Sequence, residues 1–447
     1  MAGLGENDKI EYDGIQRQVT TDETEKGEVL NDEGGEVFKS NTGQAEYRAL
    51  GWVRAAIILM KLCFATGVLA IPSALHVVGY APGVVLIICW GAMTTYYAYI
   101  MYQFRSRYRG VHNIADAAAV MGGPIAREIA GGLFLLTWVL ATGSGFIGLA
   151  QGLKILANGK VCGVIWTLIA ALCTAMCASI RTLGNLAILT WIGFASIFTA
   201  VFIVVPAPSS WTSYPSAIPT FVAGLTAAIN LFAGFGSTPT FMPVIAEMKK
   251  PRSFPKALFS SQLFLMACYV AFGVVVYCYC GSYVASPSLA SAGGTIEKIA
   301  YGISIPGFIM TSTLWVHLAA KFLLVRILRN SPHLQNNSAI HWTTWLGSTI
   351  GITTLSFVIA EAIPFFSYLI GLIGSLCCAP TCLIIPALMG LYMDRARPKT
   401  TLVMASMGLH IFTVVLGSFI TVAGTYTTVQ SIIDAYGAGT VSRAFAC

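Results

Sequence analysis

In this chain of 447 residues, 56% are hydrophobic and 10% charged, whereas soluble domains carry about a quarter of their residues as charges. So few charges cannot cover a surface compatible with water, which excludes a soluble enzyme or binding domain and makes lipid the solvent. The net charge of +7 is uneven, because residues 1–51 hold 12 of the 19 acidic residues and only 5 of the 26 basic ones. The positive excess therefore belongs to the rest of the chain, where short loops between apolar runs explain it without nucleic acid.

Residues 1–51 contain no apolar run of the kind a secretory leader has. Their Glu, Asp, Thr and Gly content predicts a disordered, acidic cytosolic tail. Lys9, Lys26 and Lys39 make that tail an expected handle for a ubiquitin ligase. A transmembrane domain follows over 52–424. A helix needs roughly 20 apolar residues to cross the hydrocarbon, and eleven runs qualify: 52–77, 83–104, 129–153, 161–180, 185–205, 218–247, 257–281, 303–328, 341–363, 365–392 and 401–424. Residues 425–447 are left as a short extracellular tail. One alternating set of loops holds fifteen basic residues, among them Arg105, Lys249 and Arg395. The other set, with the C-terminal tail, holds only Lys154, Lys160, Lys298 and Arg443. That asymmetry places the acidic N-terminus in the cytoplasm. The twelve cysteines follow no metal-ligand spacing, and no metal or cofactor is expected; Cys162 and Cys280 are the one candidate pair.

Two runs are wrong for ordinary spanning helices. The first carries Phe64-Ala65-Thr66-Gly67-Val68-Leu69-Ala70-Ile71-Pro72, and the sixth carries Asn230-Leu231-Phe232-Ala233-Gly234-Phe235-Gly236-Ser237-Thr238-Pro239. Gly weakens a helix and Pro removes a backbone bond, so both invite local unwinding. Unwound backbone at mid-depth is tolerated only against protein or a water-lined cavity. A packing kink would explain either stretch alone. Two at matching places in two sets of five helices point to a transport site between inverted repeats, about 52–205 and 218–392, with 401–424 as an extra helix.

The run from Lys61 to Pro72 (KLCFATGVLAIP) and that from Phe232 to Pro251 (FAGFGSTPTFMPVIAEMKKP) resemble the amino acid/auxin permease family, and within it the neutral amino acid permeases of filamentous fungi. Ala65-Thr66 before Gly67 departs from the more usual Gly and hydrophobic residue. The resemblance implies an all-α, leucine-transporter-like fold with the substrate between the broken first and sixth helices. Free N–H groups at Thr66, Gly67 and Val68 would then meet a carboxylate. Carbonyls from Asn230 to Gly234 would take an ammonium, and Phe232 and Phe235 would flank an apolar side chain. With no unpaired acid at mid-depth, a cationic substrate such as a polyamine is disfavoured.

Ionisable groups at membrane depth are functional suspects. Lys321 lies eight residues before Arg329, roughly 12 Å inside the cytoplasmic end of its helix. In sodium-coupled members of the fold the eighth helix meets the first and shares a sodium ion, so a lysine ammonium at Lys321 would replace it and leave the proton as coupling ion. Lys61 is expected to snorkel, and Glu247 to pair with a basic loop residue at the inner gate. A membrane enzyme would need a convergent His, Ser or Asp constellation, but the histidines are scattered and Asp116 and Asp394 fall in loops. A channel would need a repeated pore segment or charged rings. The sequence thus reads as a proton-coupled symporter of neutral amino acids, in the plasma membrane with the vacuolar membrane as alternative; a carrier of another small solute, such as a nucleobase, is the rival.

Overall fold

The computed structural model describes residues 50–438, apart from 109, 160, 181–182, 205–218, 282–283, 330, 335, 337 and 364, together with Phe445; at 65–66 and 183–190 it describes the backbone alone. The tail lysines Lys9, Lys26 and Lys39 lie outside the described residues. The apolar runs fold as α1 (Trp52–Val78), α2 (Tyr80–Arg107), α3 (Ile114–Leu156), α4 (Gly163–Ala178), α5 (Leu183–Val204), α6a (Phe221–Ala233), α6b (Phe241–Ala246), α7 (Phe254–Cys280), α8 (Gly294–Leu328), α9 (Ala339–Ala362), α10 (Phe366–Arg395) and α11 (Thr401–Gly437). Among the described residues eight helices, counting α6a and α6b as one, are long and apolar enough to cross a membrane. The two halves of α1 make a ninth span, while α4 and the Trp191–Val204 part of α5 are shorter apolar helices. The chain is an integral, multi-pass membrane protein. Each expected run has a helix, but α11 continues to Gly437, so residues 425–437 are helix rather than tail. Cys280 is a free, buried thiol, so the Cys162–Cys280 pair does not form.

Polar side chains start several helices. Asn113 accepts from the Asp116 backbone while the Asp116 carboxylate accepts from the Asn113 backbone, which caps α3 at both orphan donors. Ser338 caps α9 and Thr400 caps α11. Asp116 and Asp394 were expected in loops; they sit in the first turn of α3 and the last turn of α10. Inside α3, Gly123 (φ +73°) precedes Pro124 and divides the helix into two segments, since proline cannot continue the hydrogen-bond ladder. In α10 a stretch of wide π turns runs from Ile373 to Ile384, around Pro380.

The helices pack in matching pairs. α1 lies along α7 as α6a lies along α2, and α8 lies on α5 as α10 lies on α3. Helices α3 and α8 form the buried centre, with 78% and 83% of their most apolar windows buried. In α11 the figure is 22%; a helix this apolar with so little protein around it faces lipid.

Exposed Asn336, the first residue of the sequon Asn336-Asn337-Ser338, lies between α8 and α9 at the end where basic loops gather. It should therefore carry no glycan. A glycosidase-sensitive mass shift that disappears in Asn336→Gln would reverse the orientation.

Candidate functional site

The two interruptions meet at the centre of the bundle. α1 bends by 46° between Trp52–Phe64 and Gly67–Val78 but remains helical, so it bends where unwinding was expected. The sixth helix is truly interrupted: α6a ends at Ala233, residues 234–237 form turns, and Thr238–Thr240 make one tight turn before α6b. Gly67 and Gly234 cross backbone to backbone. A Cβ on Gly67 would lie 2.7 Å from the Gly234 Cα and 3.2 Å from both the Gly234 carbonyl oxygen and the Tyr269 hydroxyl. Tyr269, on α7, places its hydroxyl 2.8 Å from the Cys63 carbonyl and 2.9 Å from that of Gly234. Ser237 Oγ donates to the Leu62 carbonyl at 2.8 Å. The breaks are thus tied together by a phenol and a serine.

A small cavity of about 30 Å³ lies beside this crossing. Its walls include Leu62, Cys63 and Gly67 of α1, Trp138 of α3, Ala233, Gly236 and Ser237 beyond α6a, Trp315 of α8, and Ile370, Ile373 and Cys378 of α10. Such a volume holds a water or two, so the site is closed in this state. None of the residues lining it is charged. The indole N–H groups of Trp138 and Trp315 have no partner. The thiols of Cys378 and Cys382 point to the Gly236 carbonyl at 3.5 and 3.3 Å. At one end of the bundle a vestibule of about 510 Å³ opens between α1, α3, α6a and the start of α10. Ser73, Gln151, Thr226, Asn230 and Tyr368 line it, and the side-chain oxygens of Thr226 and Asn230 lack partners.

The opposite end is held shut by charge. Lys321 of α8 and Glu247, just past α6b, form a buried ion pair of 2.6 Å. Arg329 binds Asp116 at 2.8 Å, and Arg326 binds Glu128. Ahead of α1, the Leu50 N–H donates to the Glu247 carbonyl at 3.0 Å, and the Lys249 N–H donates to the Leu50 carbonyl at 2.8 Å. In the loop before α3, burial and the charges of Arg105, Arg329 and Lys321 hold the His112 imidazole well below its usual range. That histidine stays neutral in mild acid; stability is lost, not gained, as pH falls below its ordinary value of about 6.5. The vestibule is open at one end of the bundle, and the end where Lys321, Glu247, Arg329 and Asp116 pair is closed.

The family model described as transmembrane amino acid transporter protein matches residues 48–430. The chain belongs to this family. A "Transmembrane transporter" of Gibberella moniliformis is 37% identical to the transporter over 440 residues, covering 95% of this chain and 92% of the other. The "N amino acid transport system protein" of Neurospora crassa is 28% identical, with 99% and 98% covered. Among solved structures, Mhp1, a nucleobase-cation-symport-1 family transporter with bromovinylhydantoin bound, superposes with a TM-score of 0.58 at 13% identity, covering 90% of this chain and 96% of the other. A Na+-coupled sialic acid symporter in an outward-open state gives 0.55 at 12% identity, covering 86% and 91%. These two likenesses establish the fold alone, the leucine-transporter-like one that the resemblance implied. Family and fold make the protein a secondary transporter for amino acids and not an enzyme.

The expected site residues divide. Gly67 lines the cavity, Asn230 lines the vestibule, and Gly234 is the crossing partner of Gly67. Glycine is required at 67 by the crossing with Gly234. Phe232 and Phe235 do not line the cavity: Phe232 packs on Trp90 of α2 and Phe235 on Tyr269. Ala233, Gly236 and Ser237 occupy the cavity side instead. Val68 is buried outside the cavity wall, and the Thr66 side chain is not described. Glu247 sits at the inner gate as expected, but Lys321 is its partner there, and Lys61 is fully buried where snorkelling was expected.

The scattered histidines also conceal a cluster. Tyr97 Oη lies 2.7 Å from Thr413 Oγ1 and 3.4 Å from His410 Nδ1, and Ser406 Oγ donates to Asp394 Oδ2 at 2.8 Å. Both Ser406 and Asp394 face the same His410 nitrogen, Nε2, at 3.2 and 3.6 Å. A hydrolytic triad needs serine and aspartate on opposite ring nitrogens, so the cluster ties α2, α10 and α11 without making a nucleophile. Tyr269, Trp138 and Trp315 escaped sequence reading because aromatic residues in apolar helices give no signal of which way they face.

Proposed function

We propose that this transporter carries neutral amino acids with apolar side chains into the cell across the plasma membrane, by symport with protons. The observation that carries the substrate class is the central cavity, bounded by Leu62, Trp138, Trp315, Ile370 and Ile373 with no charged side chain in its wall. A cationic or acidic side chain there would lose its water without a counter-charge, at a cost of several kcal/mol. An apolar side chain gains about 25 cal/mol per Å² removed from water. The unpartnered indole N–H groups of Trp138 and Trp315 are donors suited to the amino acid carboxylate. Thr66, Gly67 and Val68 at the bend, with the carbonyls from Asn230 to Gly234, belong to the same proposed site. The Neurospora relative, named as an amino acid transport system protein, agrees in substrate.

The cycle follows from the two ends. Substrate enters through the vestibule past Asn230, closes the outer path, and leaves once the Glu247–Lys321 pair parts. Proton coupling is supported where α1 meets α8, because the buried Lys61 amine donates to the Gly307 carbonyl at that junction.

Radiolabelled uptake into yeast lacking its own permeases tests this, with competition by unlabelled compounds. Leucine and phenylalanine should compete at least tenfold better than lysine, glutamate or uracil. Uptake should rise as external pH falls and be indifferent to replacement of sodium by choline. Preference for lysine or uracil would overturn the substrate class. Trp138→Ala should shift preference toward bulkier side chains, read from the same competition series.

A further inference from the structure

We propose that Lys61 is the group that binds and releases the coupling proton, an assignment that rests on the proton-symport reading above. Lys61 is completely buried in the inner half of α1, and the next two residues, Leu62 and Cys63, line the central cavity. Its Nζ donates to one acceptor, the Gly307 carbonyl of α8, at 3.2 Å. The same carbonyl accepts from Thr311 Oγ1 at 2.7 Å. No described carboxylate bonds Lys61. Other buried charges differ: Lys321 has Glu247, and Asp116 has Arg329.

Glycines let α5 and α8 close together beside the side chain. A Cβ on Gly193 of α5 would lie 2.6 Å from Met310 Cβ and 3.5 Å from Lys61 Cε. One on Gly307 would lie 2.1 Å from Ile197 and 3.0 Å from the Gly193 carbonyl. Lys61 therefore stands at the junction of α1, α5 and α8. The surrounding helices offer it no counter-charge. α5 carries no titratable residue from Leu183 to Val204. On α8 the flanking titratable groups are Tyr301 and His317, six and ten residues from Gly307, with Lys321 about 21 Å further along the helix. On α7, Tyr269 is committed to the Cys63 and Gly234 carbonyls, and Cys268 is a free thiol. On α1 itself the nearest titratable group is the Cys63 thiol.

A buried ammonium with one neutral partner is expensive, and a neutral amine in the same place is not. The presence of the proton is thus decided by small changes around it, which is what a coupling group needs. On the outward-facing side of the cycle a proton from external water adds to the Nζ lone pair, and R–NH2 becomes R–NH3+, tying the inner half of α1 to the Gly307 carbonyl. When the inner gate opens, the same proton passes to cytoplasmic water, and the tie weakens as α1 swings.

Purified protein in proteoliposomes containing a pH-sensitive dye, with tritiated L-phenylalanine as probe, tests the assignment. With an inward gradient of one pH unit, one-proton symport supports about tenfold accumulation. Wild type should reach that ratio and acidify the lumen as phenylalanine enters. Lys61→Met and Lys61→Gln should equilibrate at a ratio of one, without acidification, while exchange of labelled for unlabelled phenylalanine persists. Lys61→Arg, which cannot release its proton, should behave likewise. A Lys61→Met protein that still accumulates phenylalanine and acidifies the lumen overturns the assignment and leaves proton symport intact. Loss of exchange in all three variants, or failure of all three to fold by thermal melt, would make Lys61 structural and overturn it equally. Wild-type phenylalanine transport without acidification would instead overturn the proton reading itself.

Discussion

Glu247→Gln is expected to reduce uptake by at least tenfold. The carboxylate and the Lys321 ammonium are both buried, at 2% and 4% side-chain exposure, and lie 2.6 Å apart. Removing one partner of a buried ion pair leaves the other charge uncompensated, at a cost of about 3–5 kcal/mol. In the proposed cycle this pair closes the cytoplasmic end, so that cost falls on the outward-facing state. A shift of 3 kcal/mol is about a hundredfold in population, enough to leave few molecules able to collect substrate from outside. The Leu50 bond to the Glu247 carbonyl is a backbone contact and survives the substitution. Lys321→Glu alone should be as damaging, and Glu247→Lys combined with Lys321→Glu should recover part of the loss. Wild-type uptake by Glu247→Gln would show that the pair does not hold the gate.

At Gly67 the expected effect is as large, for a different reason. Alanine there forces a methyl to within 2.7 Å of the Gly234 backbone, and backbone cannot rotate away as a side chain can. Overpacking of this kind costs about 1–3 kcal/mol, occasionally more. Here relief requires the two central helices to separate. Gly67→Ala should retain less than a tenth of wild-type uptake and melt at lower temperature; Gly67→Val should retain none. Gly132→Ala on α3, where the added methyl meets nothing within 4 Å, is the control and should behave as wild type. Tyr269→Phe removes the hydroxyl at the same crossing and should be milder, near the ~1 kcal/mol of a single hydrogen bond. Gly67→Ala with normal melting and normal uptake would show that the crossing can open without penalty.

Most of the fold could be read from the sequence because lipid imposes one rule on every segment: the backbone must satisfy itself over the full apolar thickness. The positions of the helices and of both interruptions followed from it. The interior was less legible. Whether a residue faces a cavity or a neighbouring helix depends on phase, and one break resets phase. Phe232 and Phe235 lie on either side of the break after Ala233, and the structure packs them on Trp90 of α2 and Tyr269 of α7. The lysines were exchanged for a similar reason. Distance from a helix end made Lys321 look isolated and Lys61 look able to snorkel. The Lys321 partner Glu247 is 74 residues away in the chain, and Lys61 lies beside Gly193 of α5 and bonds the Gly307 carbonyl of α8, relations that no local window contains. The His410 cluster is likewise assembled from three helices.

The short extended contact of Leu50 with the segment after α6b has a mechanical meaning. The chain ahead of α1 is coupled in shear to the Glu247–Lys249 segment through two backbone bonds, so a pull on that chain loads the Glu247 segment before it bends α1. Any attachment immediately ahead of Leu50, whether a fused domain or a tethering protein, acts as a lever on the closure that Glu247 makes.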